Sequence, residues 1–133
     1  MSTAEDNRKL LMDIMEISAR DKSAMWEYFS PEARFYEPES LPYGGEYHGH
    51  ARFEEFNAIL ADTWSDISID FRDIMTSDSR ATTFSFATFT SRATGKSATM
   101  PMCEVWEFAD GKIVRVDAIY GDTAAVLRAL TPD

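Results

Sequence analysis

The chain has 133 residues, 44% hydrophobic and 27% charged, and 23 acidic against 13 basic residues give a formal charge of -10. That length suits one compact domain spanning 1–133. The charge repels phosphate backbones and anionic lipid surfaces, which argues against nucleic-acid and membrane partners. Cys103 is the one cysteine, excluding an internal disulfide and a cysteine-based zinc finger, and no apolar run is long enough for a membrane span or signal peptide, so a cytoplasmic location is expected.

Ser2 and Glu5 have capping-box spacing, and Leu10, Leu11, Ile14, Met15 and Ile17 then recur at helical steps, predicting a helix over about 5–20. Asp21 is placed to cap a shorter helix over 22–29 that buries Met25, Trp26 and Phe29 and that Pro31 terminates. Ala33 to Glu37 reads as a strand, and Pro38, Pro42, Gly44, Gly45 and Gly49 then predict an irregular loop carrying Tyr43 and Tyr47. Phe53, Phe56, Leu60 and Trp64 recur at three- and four-residue steps, predicting a third helix from about Ala51.

After Trp64 the period changes to two, with Ile67, Ile69 and Phe71 alternating against polar residues. Strands follow over Arg80–Ala93, Ser97–Phe108 and Ile113–Tyr120, separated by turn signals at Gly95-Lys96 and Asp110-Gly111. Asp122 is placed to cap a last helix carrying Ala125, Val126 and Leu130. Helices first and strands afterward predict an α+β architecture: three N-terminal helices on one face of a curved antiparallel sheet formed mainly by residues 66–120.

Within the strand Ser97–Phe108, one parity holds Met100, Met102, Trp106 and Phe108, interrupted only by Glu104. Placing Met102, Trp106 and Phe108 on the outer face predicts a homodimer through that face. Pro101 cannot donate to a ladder, so an edge, bulge or bend is expected there. Trp64, Phe84, Phe86, Trp106 and Tyr120 are candidates either for pocket walls or for ordinary core.

The segment Phe29 to Pro38, the strand Met102 to Phe108, the turn Asp110 to Val114 and the ending Ala118 to Asp122 resemble the nuclear transport factor two-like superfamily. Within it, the chain is most similar to the ketosteroid isomerases and the SnoaL-like polyketide cyclases, and the loop Ser40 to Gly49 also looks SnoaL-like. The resemblance implies a cone-shaped domain with an apolar pocket between sheet and helices, usually dimeric, hosting isomerases, cyclases, epoxide hydrolases and non-enzymatic binders. It implies Glu37, before Pro38, as the proton-shuttling base, while the family's oxyanion-donor positions fall on Cys103 and Asp13, neither of which is the family residue. The cyclases' late carboxylate corresponds to Asp122 or Asp117.

Each candidate has a plainer role beside its chemical one. Glu37, beside Phe35 and Tyr36, would gain proton affinity by desolvation if it points inward, and would be a solvated loop acid otherwise. Asp122 also reads as a helix cap, Asp13 as a surface acid on the first helix, and Asp117 as a residue facing away from Val116, Ala118 and Tyr120. His48 either orients a substrate or bonds backbone carbonyls; with His50 and Glu46 it matches no dedicated zinc spacing, so no metal is expected. Cys103, with Glu104 and Glu107 nearby, reads as a small pocket-lining residue rather than a thiolate nucleophile.

The leading expectation is a cofactor-independent isomerase or cyclase in which Glu37, with Asp122 as the alternative carboxylate, moves a proton on an apolar carbonyl-bearing ligand. Asp13, Tyr43, His48, Trp64, Phe86, Cys103 and Tyr120 would line the substrate site. The alternative is a non-catalytic ligand-binding or dimerisation module of the same fold.

Overall fold

The computed structural model describes residues 3–133, apart from the side chains of Lys22 and Ser23. Helix α1 spans Ala4–Arg20. Its capping box is Thr3 with Asp6, each side chain bonding the other's backbone N–H at 3.1 Å. The box thus falls one residue later than Ser2 with Glu5, and Ser2 lies outside the described residues.

The expected second helix is a 3-10 helix over Lys22–Tyr28, and Phe29 already begins strand β1, Phe29–Glu37. Pro31 therefore does not terminate a helix. It lies where the register between β1 and the last strand shifts, consistent with a residue that has no N–H for the ladder. The loop after β1 returns as a short strand β2, Gly45–His48, pairing antiparallel with Arg34–Glu37.

Helix α2, His50–Thr63, runs without a linker into β3, Trp64–Thr76. Strands β4 (Arg80–Ser91), β5 (Ser97–Ala109) and β6 (Lys112–Tyr120) continue the meander, and α3 (Thr123–Leu130) follows. Asp110 and Gly111 both have positive φ, 52° and 74°, as a tight hairpin between β5 and β6 requires.

The six strands run in the order β2-β1-β6-β5-β4-β3. The architecture is α+β with a curved mixed sheet, not a purely antiparallel one, because β1 pairs parallel with β6. The chain reaches that neighbour only after α2 and the whole meander, a connection long enough to bring two strands side by side in the same direction.

Strand alternation separates the two faces. Ala81, Thr83, Ser85, Ala87 and Phe89 on β4 are buried, and their partners on β5 include Met100, Met102, Glu104 and Trp106. Met102, Trp106 and Phe108 therefore belong to the inner face: Trp106 and Phe108 are buried in this chain's own core, and Met102 packs against it. The expected dimer patch built from these three is overturned by strand parity.

Pro101 causes no bulge against β4, where it pairs in register with Phe86. Its carbonyl accepts the Gly121 N–H at 2.8 Å, so its nitrogen points the same way, past the end of β6, where no ladder bond is lost. A Cβ on Gly121 would sit 2.4 Å from that carbonyl oxygen, so the close approach requires glycine.

Candidate functional site

The register places two carboxyls in one row of the inner face. Glu104 on β5 pairs with Thr83 on β4 and with Ala118 on β6. On the far side of Ala118, one residue beyond the Tyr36–Asp117 pair, stands Glu37. The carboxyl-bearing positions are thus two strand spacings apart, roughly 10 Å, and only the methyl group of buried Ala118 lies between them in the row.

Glu37 is 2% exposed. The Tyr120 hydroxyl donates to its Oε1 at 2.8 Å, and the Tyr43 hydroxyl lies 3.2 Å from that of Tyr120. Trp64 Nε1 donates to the Tyr43 oxygen at 3.2 Å. With Tyr120 committed to Glu37, the Tyr43 proton points to the Tyr120 oxygen, giving a one-way chain from Trp64 through both phenols to the carboxyl. Tyr47 steadies it by donating to the Tyr43 carbonyl at 2.8 Å.

Burial pushes the Glu37 carboxyl up to about 8, against the lowering effect of the Tyr120 bond and with a smaller push from Glu104. Burial likewise raises Tyr43 to about 12 and holds the Tyr120 phenol well above its ordinary range, with the Glu37 charge adding to the effect.

Glu104 has a different setting. It lines a cavity of about 530 Å³ between the sheet and the segments α1, the 3-10 helix and α2. Met15, Leu60, Ile67, Phe89 and Met102 form much of the apolar wall, while Ser18, Asn57, Ser85 and Tyr120 supply polar edges. Ile69 and Phe71 on the edge strand β3, 38% and 46% exposed, line its open side. Desolvation raises Glu104 to about 7. Among the described residues its carboxyl has no hydrogen bond or ion pair, so it is available to whatever enters.

Of the residues predicted from sequence, the structure brings Glu37, Tyr43, Trp64 and Tyr120 together, but only Tyr120 lines the cavity. Glu37 stands behind Tyr120 rather than at the wall. The others lie elsewhere. Asp122 caps α3, accepting the Ala125 N–H at 3.0 Å, and pairs with Arg128 at 3.8 Å on the surface. Asp13 sits on the outward side of α1 beside Arg8, Lys9 and Glu16. Exposed His48 pairs with Glu32 at 3.2 Å.

Cys103 and Phe86 point outward by strand parity: Cys103 is flanked by Phe84 and the exposed Ile119, and the Arg72 guanidinium lies 4.6 Å over the Phe86 ring. Asp117, on the same outward side, is held by Arg115 at 2.9 Å. His50 stacks on Trp26, and among the described residues no group of three His, Cys, Asp or Glu side chains comes together to hold a metal.

Glu104 is the residue the sequence reading missed as a site. Its signal was present as the single charge interrupting an apolar strand parity, because a carboxyl in that row has to face the interior.

No curated protein matches the chain. Among solved structures, an NTF2-like protein of unknown function from Burkholderia pseudomallei is 25% identical, with a TM-score of 0.86 over 95% of this chain and 98% of that one. TerC, co-crystallised with polyporic acid, is 24% identical with a TM-score of 0.82, covering 94% and 98% of the two chains. A protein from Jannaschia described as a SnoaL-like polyketide cyclase is 15% identical, with a TM-score of 0.81 over 98% and 94%. The SnoaL-like domain matches residues 11–116, most of the sequence and every strand of the sheet in whole or part, and the chain belongs to the SnoaL-like family.

Proposed function

We propose that the protein is a small-molecule enzyme of isomerase or cyclase type, in which a cavity carboxyl transfers a proton on an apolar, carbonyl-bearing substrate without a cofactor taking part in that step. The observation that carries this reading is Glu104: an unpartnered carboxyl on the wall of a largely apolar cavity of about 530 Å³. A carboxyl raised to about 7 is poised to take and return a proton near neutral pH. The likeness to a protein described as a polyketide cyclase is in keeping with carbonyl chemistry.

Glu37 then acts through Tyr120 as a positioning residue. It fixes the phenol at the cavity wall, 2.8 Å from its own carboxyl, and the cone-shaped pocket implied by the sequence resemblance would close around the substrate there. Asp122 has no part in this step, being tied up as a helix cap outside the cavity.

Proton transfer can be read before the natural substrate is known. Incubating the protein in deuterated water with a panel of enolisable aryl ketones should give catalysed exchange at the α-carbon, followed by NMR. Glu104→Gln should lose about 100-fold or more of that exchange while the ketone still binds. Ketones that bind without any exchange, or full exchange in Glu104→Gln, would overturn the assignment. The first outcome favours a non-catalytic binding module, a reading supported by the commitment of the Tyr120 proton to Glu37 instead of the cavity.

We also propose a homodimer through the outer sheet face, where Phe84, Phe86 and Val105 are half-buried and Ile119 is 52% exposed. Sedimentation should show a dimer that Ile119→Asp dissociates; a wild-type monomer would remove this proposal.

A further inference from the structure

The polar lining of the cavity is one-signed. Glu104 is faced across Ala118 by Glu37 on β1, on β6 by Tyr120, on β4 by Thr83 and Ser85, and across the cavity by Ser18 of α1 and Asn57 of α2. Among the described residues that line it, none carries a positive charge.

An ionised carboxyl in apolar surroundings is costly unless a cation or several donors meet it. The protein supplies neither to Glu104, whereas Glu37 already has the Tyr120 hydroxyl. A ligand anion would be repelled by ionised Glu104, and a neutral ligand would leave the charge on Glu104 uncompensated. An ammonium group would supply charge and N–H donors together, in a site where Phe71, Phe89 and Tyr120 also offer aromatic rings.

We propose that this cavity binds apolar amines in their cationic form, the ammonium N–H donating to the Glu104 carboxylate and the hydrocarbon body lying against Met15, Leu60 and Met102. The inference concerns what the cavity admits and does not require turnover. Its sign with pH follows from the geometry: the ammonium needs Glu104 ionised, so amine affinity rises as pH passes upward through about 7.

The test uses three ligands on one skeleton, 2-naphthylethylamine, 2-naphthylethanol and 2-naphthylacetic acid, titrated calorimetrically into the full chain from pH 6 to pH 9, with polyporic acid as a fourth ligand. At pH 8 the amine should bind about tenfold or more tighter than the alcohol, with both acids weakest. That advantage should shrink toward pH 6 and vanish in Glu104→Gln. If that variant fails to fold, the wild-type pH profile decides alone.

Equal affinity of amine and alcohol at pH 8, tighter binding of either acid, no amine binding, or an amine advantage kept by a folded Glu104→Gln would each overturn the proposal. An amine preference without ketone exchange would leave it standing and remove the catalytic reading. Exchange without an amine preference would do the reverse.

Discussion

The two halves of the inner sheet face solve opposite problems. Over β1 and β6 the space is filled: Trp26, Phe29, Phe35, Phe53 and Phe56 form a continuous aromatic cluster, with neighbouring ring centroids 5.2 to 5.7 Å apart. Over β3, β4 and β5 it is left open as the cavity. Each half received one glutamate of the same row, and the surroundings divided their roles. In the filled half a carboxyl had to be hydrogen-bonded, and Glu37 is; in the open half Glu104 is left for a ligand. Burial alone therefore does not mark a working residue, since both carboxyls are desolvated and only Glu37 has a hydrogen-bond partner.

The sharpest way to break this contrast is to truncate one apolar side chain in each half. Phe53→Ala should cost about 3–5 kcal/mol, because it leaves a void among rings that cannot collapse. Leu60→Ala, already bordering empty space, should cost about 1–2 kcal/mol, less than the usual core leucine because fewer packed contacts are lost. Equal losses in urea unfolding would remove the distinction between filled and open halves.

The carboxyls themselves come next. Glu37→Ala should destabilise by about 2–3 kcal/mol, since it strips the acceptor from the buried Tyr120 hydroxyl. Glu104→Ala should be close to neutral, for it removes a desolvated group with no bond to lose. Thermal melts of the two variants showing the reverse order would falsify the assignment of roles.

A pH series adds a smaller, signed effect. Both carboxyls have folded values above the ordinary 4.5, about 8 for Glu37 and about 7 for Glu104. The native state therefore holds protons that the unfolded chain has released. Their contribution is present below about pH 4.5 and is lost as pH rises through 7 and then 8, with a slope of at most about 1.4 kcal/mol per pH unit for each group. Glu104→Gln should roughly halve the decline between about pH 4.5 and 7, and Glu37→Gln should halve it there and remove what remains between 7 and 8. Chemical denaturation between pH 5 and pH 9 measures it, and a wild-type stability that climbs over this range would contradict the burial of both groups.

The smallest change is Tyr43→Phe, which interrupts the chain from Trp64 to Glu37 and should cost about 1 kcal/mol. It should leave amine binding at Glu104 unchanged, because Tyr43 does not line the cavity. Calorimetry with the naphthyl amine reads this directly.

The elements were legible where periodicity was long and clean. Leu10 to Ile17 and Phe53 to Leu60 gave α1 and α2, and the change to alternation after Trp64 gave β3. Two features were hidden because they depend on pairing between distant strands. The parallel contact of β1 with β6, and β2 within an apparently irregular loop, leave no local signature.

The site was half legible for a related reason. Glu37, Tyr43, Trp64 and Tyr120 were each named, but that they form one chain behind the cavity requires the register of three strands. Glu104 was visible as a charge out of place in its strand. Met102, Glu104, Trp106 and Phe108 share one parity, so an outer apolar patch and an inward Glu104 are mutually exclusive, and only the strand register decides between them.

The contact of Gly121 with Pro101 bears on how this protein can be re-engineered. A backbone junction that admits no side chain fixes where β6 ends, and with it the direction from which Tyr120 enters. That anchoring lies apart from the apolar wall contributed by α1, α2 and β3. A library aimed at new ligands should therefore randomise Met15, Leu60, Ile67 and Ile69 freely and keep residues 101 and 121 constant. The frame and the ligand-facing surface then become separately adjustable parts of one small chain.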